Sequence, residues 1–255
     1  MRRYLILLII TLFLILPSNL LRAQKSDTIY FDKPTLKKGY TFKTKDQNLI
    51  FILQPETFKE EVKLSVENLD KEGCKIPKDK NLISNLYAFD LKIKRNTNSF
   101  ESPKEFDFSR SFDLILKYKT RNNSLKNLYL YNPRLNKWSK VATFKINLEK
   151  KTIQVKLKIP YAQIVILEEK PLFGIASWFP TRLTPRNPLG CASNYYPLGT
   201  KLRVINLANN KSLITTVISR GPYVKGRIID LTGRAFSKIA NIRQGLIKVK
   251  VERLN

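Results

Sequence analysis

The chain has 255 residues, 47 Lys and Arg against 20 Asp and Glu, a net charge of +27 and no histidine. That length allows one or two domains with full cores, and 43% hydrophobic residues with 11% aromatics exclude wholesale disorder. With no histidine and only two cysteines, Cys74 and Cys191, a metal site is not expected, and nothing in the chain asks for a cofactor.

In chain order, Arg2 and Arg3 precede an apolar run from Tyr4 to Leu16, then Pro17, Ser18 and Asn19, then Leu21-Arg22-Ala23. This reads as a secretory signal peptide over 1–23, cleaved after Ala23. The run is shorter than the ~20 apolar residues that span a bilayer. No cysteine follows it to carry a lipid, so a lipoprotein is not expected. The expectation is an exported protein of the periplasm or cell envelope, with no stable membrane anchor after cleavage. Export separates it from cytoplasmic nucleic acid. Its charge then reads as attraction to an anionic wall polymer. A lysine-biased genome would also scatter lysines, and for the first two thirds that reading stays open. In the last third many of the basic residues are arginine.

From residue 27 to 169 the pattern is β. Tyr40–Thr44, Leu49–Leu53, Val62–Val66, Leu86–Ile93, Phe112–Tyr118, Leu128–Tyr131 and Ile153–Ile159 alternate apolar and polar residues with period two. Turn signals separate them, and short strands at this spacing predict an antiparallel sandwich. Tyr129, Tyr131 and Trp138 offer either a sugar-stacking face or core and edge packing. Cys74 and Cys191 are either a disulfide joining the two halves or two unrelated buried thiols. Glu168-Glu169-Lys170-Pro171 reads as an exposed link, because proline ends a strand and the charges favour solvent.

Beyond it the elements shorten. Strands are expected at Gly174–Trp178, Lys201–Leu207, Ser212–Ile218, Gly226–Leu231 and Gly245–Val251. One helix is expected from Thr232 to Ile239, with Thr232 as its N-cap. Strands around a single short helix fit a small closed barrel.

Four motifs stand in that region: Gly174-Ile-Ala-Ser-Trp-Phe179, Pro197-Leu-Gly-Thr200, Arg203-Val-Ile-Asn-Leu-Ala-Asn209 and Arg220-Gly-Pro-Tyr-Val-Lys-Gly-Arg-Ile-Ile-Asp-Leu-Thr232. Their order and spacing resemble the rare lipoprotein A (RlpA) family of double-psi β-barrels, over residues 172–254. The resemblance implies a C-terminal six-stranded double-psi barrel (172–254) with one short helix; with the N-terminal antiparallel sandwich (27–169) read from its alternation, an all-β chain is expected. The family includes lytic transglycosylases, which cleave peptidoglycan glycan strands without water. Its pattern carries a His and an Asp where this chain has Ser193 and Ser219, 26 residues apart. The segment from Pro180 to Ala192 is also shorter than its family counterpart.

Glycan cleavage needs an acid for the glycosidic oxygen and a base for the sugar hydroxyl, work suited to tuned carboxylates. A serine has no accessible pKa for either. From Pro171 to Asn255 there are 14 Lys and Arg and only two acids, Asp230 and Glu252. Glu252 is expected at the frayed end of the last strand. Asp230 is either a residual catalytic acid or a structural carboxylate tying the loop and helix start through backbone amides. Arg220, Arg227 and Arg203, with Lys201 and Lys225, are candidate ligand cations, expected to gather at a groove mouth. Tyr195, Tyr196 and Tyr223 are candidate stacking residues there, while Trp178 reads as core. The expected function is peptidoglycan strand binding without efficient cleavage. The alternatives are residual lytic transglycosylase activity through Asp230, and a structural or partner-binding envelope role. Partners would be peptidoglycan or another anionic wall polymer, with division or wall-remodelling proteins possible, and no nucleic acid.

Overall fold

The computed structural model describes residues 23–70, 76–95, 99–101, 108–120, 124–132, 135, 137–180 and 189–254. The signal-peptide segment, Cys74 and most of the 180–192 segment lie outside these residues, and with them the cleavage, disulfide and short-segment expectations.

Thirteen strands precede the barrel. They are β1 Ala23–Phe31, β2 Tyr40–Lys43, β3 Leu49–Leu53, β4 Val62–Leu69, β5 Lys80–Leu82, β6 Leu86–Arg95 and β7 Ser99–Glu101. Then come β8 Phe112–Lys117, β9 Lys126–Asn132, β10 Lys137–Lys140, β11 Lys145–Asn147, β12 Thr152–Leu157 and β13 Tyr161–Glu169. They form two antiparallel sheets. One runs β1-β4-β6-β13-β9-β10, with β5 and β7 paired off the path, and the other runs β11-β12-β8-β3-β2. Between β1 and β2 sits helix α1, Lys33–Lys38. Asp32 caps it by accepting from the Thr35 amide, and Gly39 at φ 77 ends it.

Alternation decides which face is core. In Leu49-Ile-Phe-Ile-Leu53 the odd positions are buried and the even ones half-buried. Phe51 then meets Phe112 in its own sheet at 5.8 Å and Phe89 of the facing sheet at 5.4 Å, edge to face. A polar clasp joins the same two sheets. Asp46, in the β2–β3 turn, accepts from Thr44 Oγ1 at 2.6 Å, the Asn48 amide at 3.1 Å and Asn85 Nδ2 at 3.0 Å. It also accepts from the Tyr87 hydroxyl of β6. Burial pushes the Asp46 carboxyl up, but these hydrogen bonds outweigh it and hold its pKa at about 2.

Six strands close the barrel in the order β14-β18-β15-β17-β16-β19. They are β14 Leu172–Phe179, β15 Gly190–Ala192, β16 Lys201–Asn206, β17 Ser212–Ser219, β18 Arg227–Thr232 and β19 Ile247–Arg253. The pairs β14–β18 and β15–β17 are parallel, and the other pairs are antiparallel. Helix α2, Gly233–Ile239, is capped by Thr232 as expected and buries Ala235, Phe236 and Ile239 in the barrel core. Trp178 packs on that core and donates its indole N–H to the Ile242 carbonyl at 3.1 Å.

The expected exposed link at Glu168–Pro171 is instead a packed junction. Strand β13 runs through Glu169, leaving two residues before β14. Glu168 is 4% exposed and pairs with the fully buried Lys126 at 3.1 Å. Glu169 meets Lys80 at 3.6 Å and Arg253 of the last barrel strand at 3.4 Å. The backbone follows, since the Leu125 amide donates to the Arg253 carbonyl and the Glu169 amide to the Leu125 carbonyl. A lone bridge pairs Ser124 with Leu254. The charges read as solvent-seeking are paired here. Tyr129 and Trp138 pack on a small apolar cluster, and Trp138 also lies 5.4 Å from Tyr131, so all three serve packing.

Two stability predictions follow. Lys126→Met leaves Glu168 buried without its cation and is expected to cost about 3–5 kcal/mol. Lys126→Met/Glu168→Leu should recover most of that, as read by urea unfolding, and an equal loss in both would contradict a buried pair. For Asp46, the folded pKa lies below the ordinary 3.8. Its contribution is therefore full above that value and is lost as pH falls through about 2. Asp46→Asn should cost about 1–2 kcal/mol at neutral pH after screening, with the gap closing toward acid.

Candidate functional site

The site is built around Ala192 at the end of the short strand β15. On one side Ala192 pairs with Asp230 of β18, and on the other with Ser219 of β17. The next residue, Ser193, donates its amide to the Ser219 carbonyl at 3.2 Å. Three residues distant in sequence thus converge at one end of the barrel: Ser193, Ser219 and Asp230.

Two loops cover that end, 193–200 between β15 and β16 and 220–226 between β17 and β18. They are stitched together by side chains. Asn194 accepts from the Gly221 amide at 2.9 Å and donates to the Pro222 carbonyl at 2.9 Å. Arg220 Nη1 donates to the Tyr196 carbonyl at 3.0 Å. The Gly221–Pro222 peptide is cis, and Gly221 has φ 131, a conformation open to glycine. Asn194 as the clasp of both loops had no signal in the sequence beyond its neighbourhood.

The two serines differ. Ser193 is 1% exposed, and its hydroxyl accepts from the Tyr195 amide at 3.2 Å, so it shapes the loop. Ser219 is exposed at the barrel end. Neither has a base within hydrogen-bond distance among the described residues; the Ser219 hydroxyl contacts only the Arg220 carbonyl, at 3.5 Å.

Asp230 does not tie backbone amides as the structural alternative had it. Its Oδ2 accepts from Arg227 Nη2 at 3.3 Å, three residues earlier on the same strand. Its Oδ1 is buried without a partner among the described residues, as is Arg227 Nε. Burial raises the Asp230 carboxyl from its ordinary value, and the Arg227 charge only partly offsets this. Glu252 is not frayed: it is 7% exposed within β19 and bound to Lys250 at 2.6 Å. Among the described residues, Asp230 is thus the one carboxylate beside Ser193 and Ser219.

The cations do not gather as expected. Arg220 and Arg227 reach the site, each already holding an acceptor. Lys225 is exposed in the 220–226 loop. Arg203 and Lys201 lie on β16, beyond β17 from Ala192, and Arg203 stands opposite Ile214 and Glu252. Of the tyrosines, Tyr195 is 59% exposed and Tyr223 84% exposed, one on each stitched loop. Tyr196 is 8% exposed, and burial first, then the Glu169 charge, push its phenol up to about 12. Its ring packs in the barrel core and is unavailable for stacking.

Residues 174–251 match the family model described as lytic transglycolase. Among curated proteins, an Aquifex aeolicus protein named probable endolytic peptidoglycan transglycosylase RlpA is 38% identical over 88 residues. That match covers 31% of this chain and 39% of the relative. The endolytic peptidoglycan transglycosylase RlpA of Rickettsia felis is 46% identical over 69 residues, 27% of this chain and 30% of the relative. The Campylobacter jejuni protein of that name is 31% identical over 140 residues, 51% of this chain and 50% of the relative. This chain spans half or less of the length of these relatives. The closed six-stranded barrel and the matched motifs agree, and the C-terminal part of this chain is an RlpA-like double-psi β-barrel.

Proposed function

We propose that this is an exported cell-envelope protein whose barrel grips peptidoglycan glycan strands without cutting them efficiently. One observation carries the reading. The two positions where the resemblance puts a His and an Asp hold Ser193 and Ser219. Ser193 is buried and committed to its loop, and among the described residues neither serine has a base within hydrogen-bond distance. A site lacking its acid–base pair loses orders of magnitude in rate, while its shape and its binding surface persist. Tyr195 and Tyr223 flank the Ser219 end as exposed rings, suited to lie against sugar faces. The relatives are named peptidoglycan transglycosylases, which supports a wall glycan as the ligand.

A second reading has its own support. Asp230 is a carboxyl held toward its protonated form by burial, with one oxygen unpartnered. A raised carboxyl pKa is the direction a general acid requires. Residual transglycosylase activity would run through it.

Binding is tested by co-sedimentation of the protein with purified sacculi. Tyr195→Ala/Tyr223→Ala should weaken retention several-fold at every salt concentration. Part of the wild-type retention should persist from ~50 mM to ~500 mM salt, where exposed charge pairs are screened. Retention that vanishes with salt, and is indifferent to both tyrosines, would reduce the binding to bulk charge.

The state of Asp230 is tested by stability. Its folded pKa is raised, so its contribution is full below the ordinary 3.8 and is lost as pH rises through the folded value. Asp230→Asn should therefore raise the melting temperature at pH 7, and the gain should disappear in acid. A lower melting temperature at pH 7 would mean that the Arg227 pair outweighs burial.

A further inference from the structure

The outer wall of the barrel over β14, β19, β16 and β17 carries apolar side chains where a solvated wall would carry polar ones. Residues opposite each other on an antiparallel ladder share a face, and successive residues alternate between faces. Val249 and Val251 of β19, Val204 of β16 and Leu213 of β17 fill the core, so their sequence neighbours face outward. Phe173, Lys250 and Ile205 stand side by side across β14, β19 and β16. Glu252, Arg203 and Ile214 do so across β19, β16 and β17. Ile175 stands opposite Lys248, and Lys201 opposite Thr216, two residues before Ile218. Phe173 is 62% exposed, Ile214 53% and Ile218 43%. Ile218 lies against the bare backbone of β15, since a Cβ on Gly190 would come 2.4 Å from its Cδ1.

The charge on this wall is cationic with one exception. Lys201, Arg203, Lys248 and Lys250 face out of it, and the one carboxylate, Glu252, is held by Lys250 at 2.6 Å. The other acid between residues 171 and 255 is Asp230, which lies on β18 and pairs with Arg227. From the sandwich, Glu169 reaches the barrel at Arg253. Among the described residues, Lys201, Arg203 and Lys248 form no salt bridge.

The arrangement of these residues decides the kind of partner. A protein–protein interface gathers apolar residues at its centre and depletes lysine there. Here Lys248 and Lys250 occupy the middle of the face, on β19, with Phe173 and Ile175 on one side and Ile205 on the other. A soluble polyanion would engage the cations and leave the aliphatic side chains in water. A lipid–water boundary takes both: aliphatic side chains and lysine stems meet the acyl region, and the ammonium groups reach the phosphates.

We propose that this wall seats the protein reversibly on an anionic phospholipid bilayer. Phe173, Ile214 and Ile218 enter the headgroup boundary, and Lys201, Arg203 and Lys248 hold the lipid phosphates. The surface is carried by strands, and Tyr195 and Tyr223 stand on loops, so the proposal does not rest on the glycan reading.

The test is co-sedimentation of the purified protein, in the form beginning at Gln24, with phospholipid vesicles at fixed ionic strength. Vesicles containing phosphatidylglycerol should retain it, and pure phosphatidylcholine vesicles should retain it much less. Ile214→Ser/Ile218→Ser, at two exposed positions, should weaken retention about tenfold, and Lys201→Gln/Lys248→Gln about tenfold as well. Lys145→Gln/Lys150→Gln, which removes the same charge from exposed positions on the sandwich, should leave it within about twofold. The serine variant should bind dextran sulfate, a polyanion with no apolar interior, as tightly as the wild type. Vesicle retention indifferent to the serine variant, or weakened equally by the sandwich pair, would reduce the effect to bulk charge and overturn the proposal. Absence of retention on phosphatidylglycerol vesicles would also overturn it. Self-association in sedimentation velocity that the serine variant abolishes would then assign the wall to a second copy of the chain.

Discussion

The buried ion pair between Lys126 and Glu168 is the constraint on which the arrangement of this molecule depends. Lys126 has no solvent exposure at its side chain, and Glu168 has almost none. Two such charges can stay buried only together, because either one alone would carry its full desolvation cost. They sit opposite each other in the β9–β13 ladder, so satisfying the pair fixes the register of the central strands. Alternation along β13 then turns Glu169 to the other face. There it meets Lys80 and Arg253, and the last barrel strand is tied to the sandwich by side chains and by backbone. The chain has two cores, but the seam between them is ionic and hydrogen-bonded, unlike a loose linker.

Fixing β19 has consequences around the barrel. It pairs with β14 and β16, and closure passes the constraint through β18 and β17 to the three-residue strand β15 between them. Ala192 is small, and its neighbours on both sides carry the site residues, so Ser193, Ser219 and Asp230 are set by ladder register. The loops above are set by Asn194 and Arg220, whose polar groups are spent on backbone partners. What remains open to a ligand is a pair of exposed tyrosines, the exposed Ser219 and Lys225, and one carboxyl whose pKa burial raises. That inventory favours holding a glycan over breaking it.

Much of this was legible in the sequence where one residue type has one physical use. Period-two alternation marked seven sandwich strands, and five of the six barrel strands were read as short elements between turns. Thr232 marked the start of α2, and Trp178 was read as core. The missed pieces share a cause. Strand β13 buries five consecutive residues, Ile164 to Glu168, between neighbours on both sides, and so lacks alternation. Strand β15 has only three residues, too few for any period. The acidic pair Glu168-Glu169 looked like a surface link because its partners, Lys126 and Arg253, lie 42 and 84 residues away. Tyr196 was misplaced because its ring packs into the barrel core, and Glu252 because it lies within β19 with Lys250 as its partner. The spread of the arginines was likewise hidden, because strand order alone decides that Arg203 stands away from Ala192.

The claim most open to test is that the barrel grips glycan strands without cleaving them efficiently. The direct measurement is mass spectrometry of sacculi incubated with the purified protein, read for 1,6-anhydromuropeptides. The account predicts retention of the protein on the sacculi with no such products above the level of a Tyr195→Ala/Tyr223→Ala control. Anhydro products from the wild-type protein that Asp230→Asn abolishes would contradict it and make Asp230 the acid of a working enzyme.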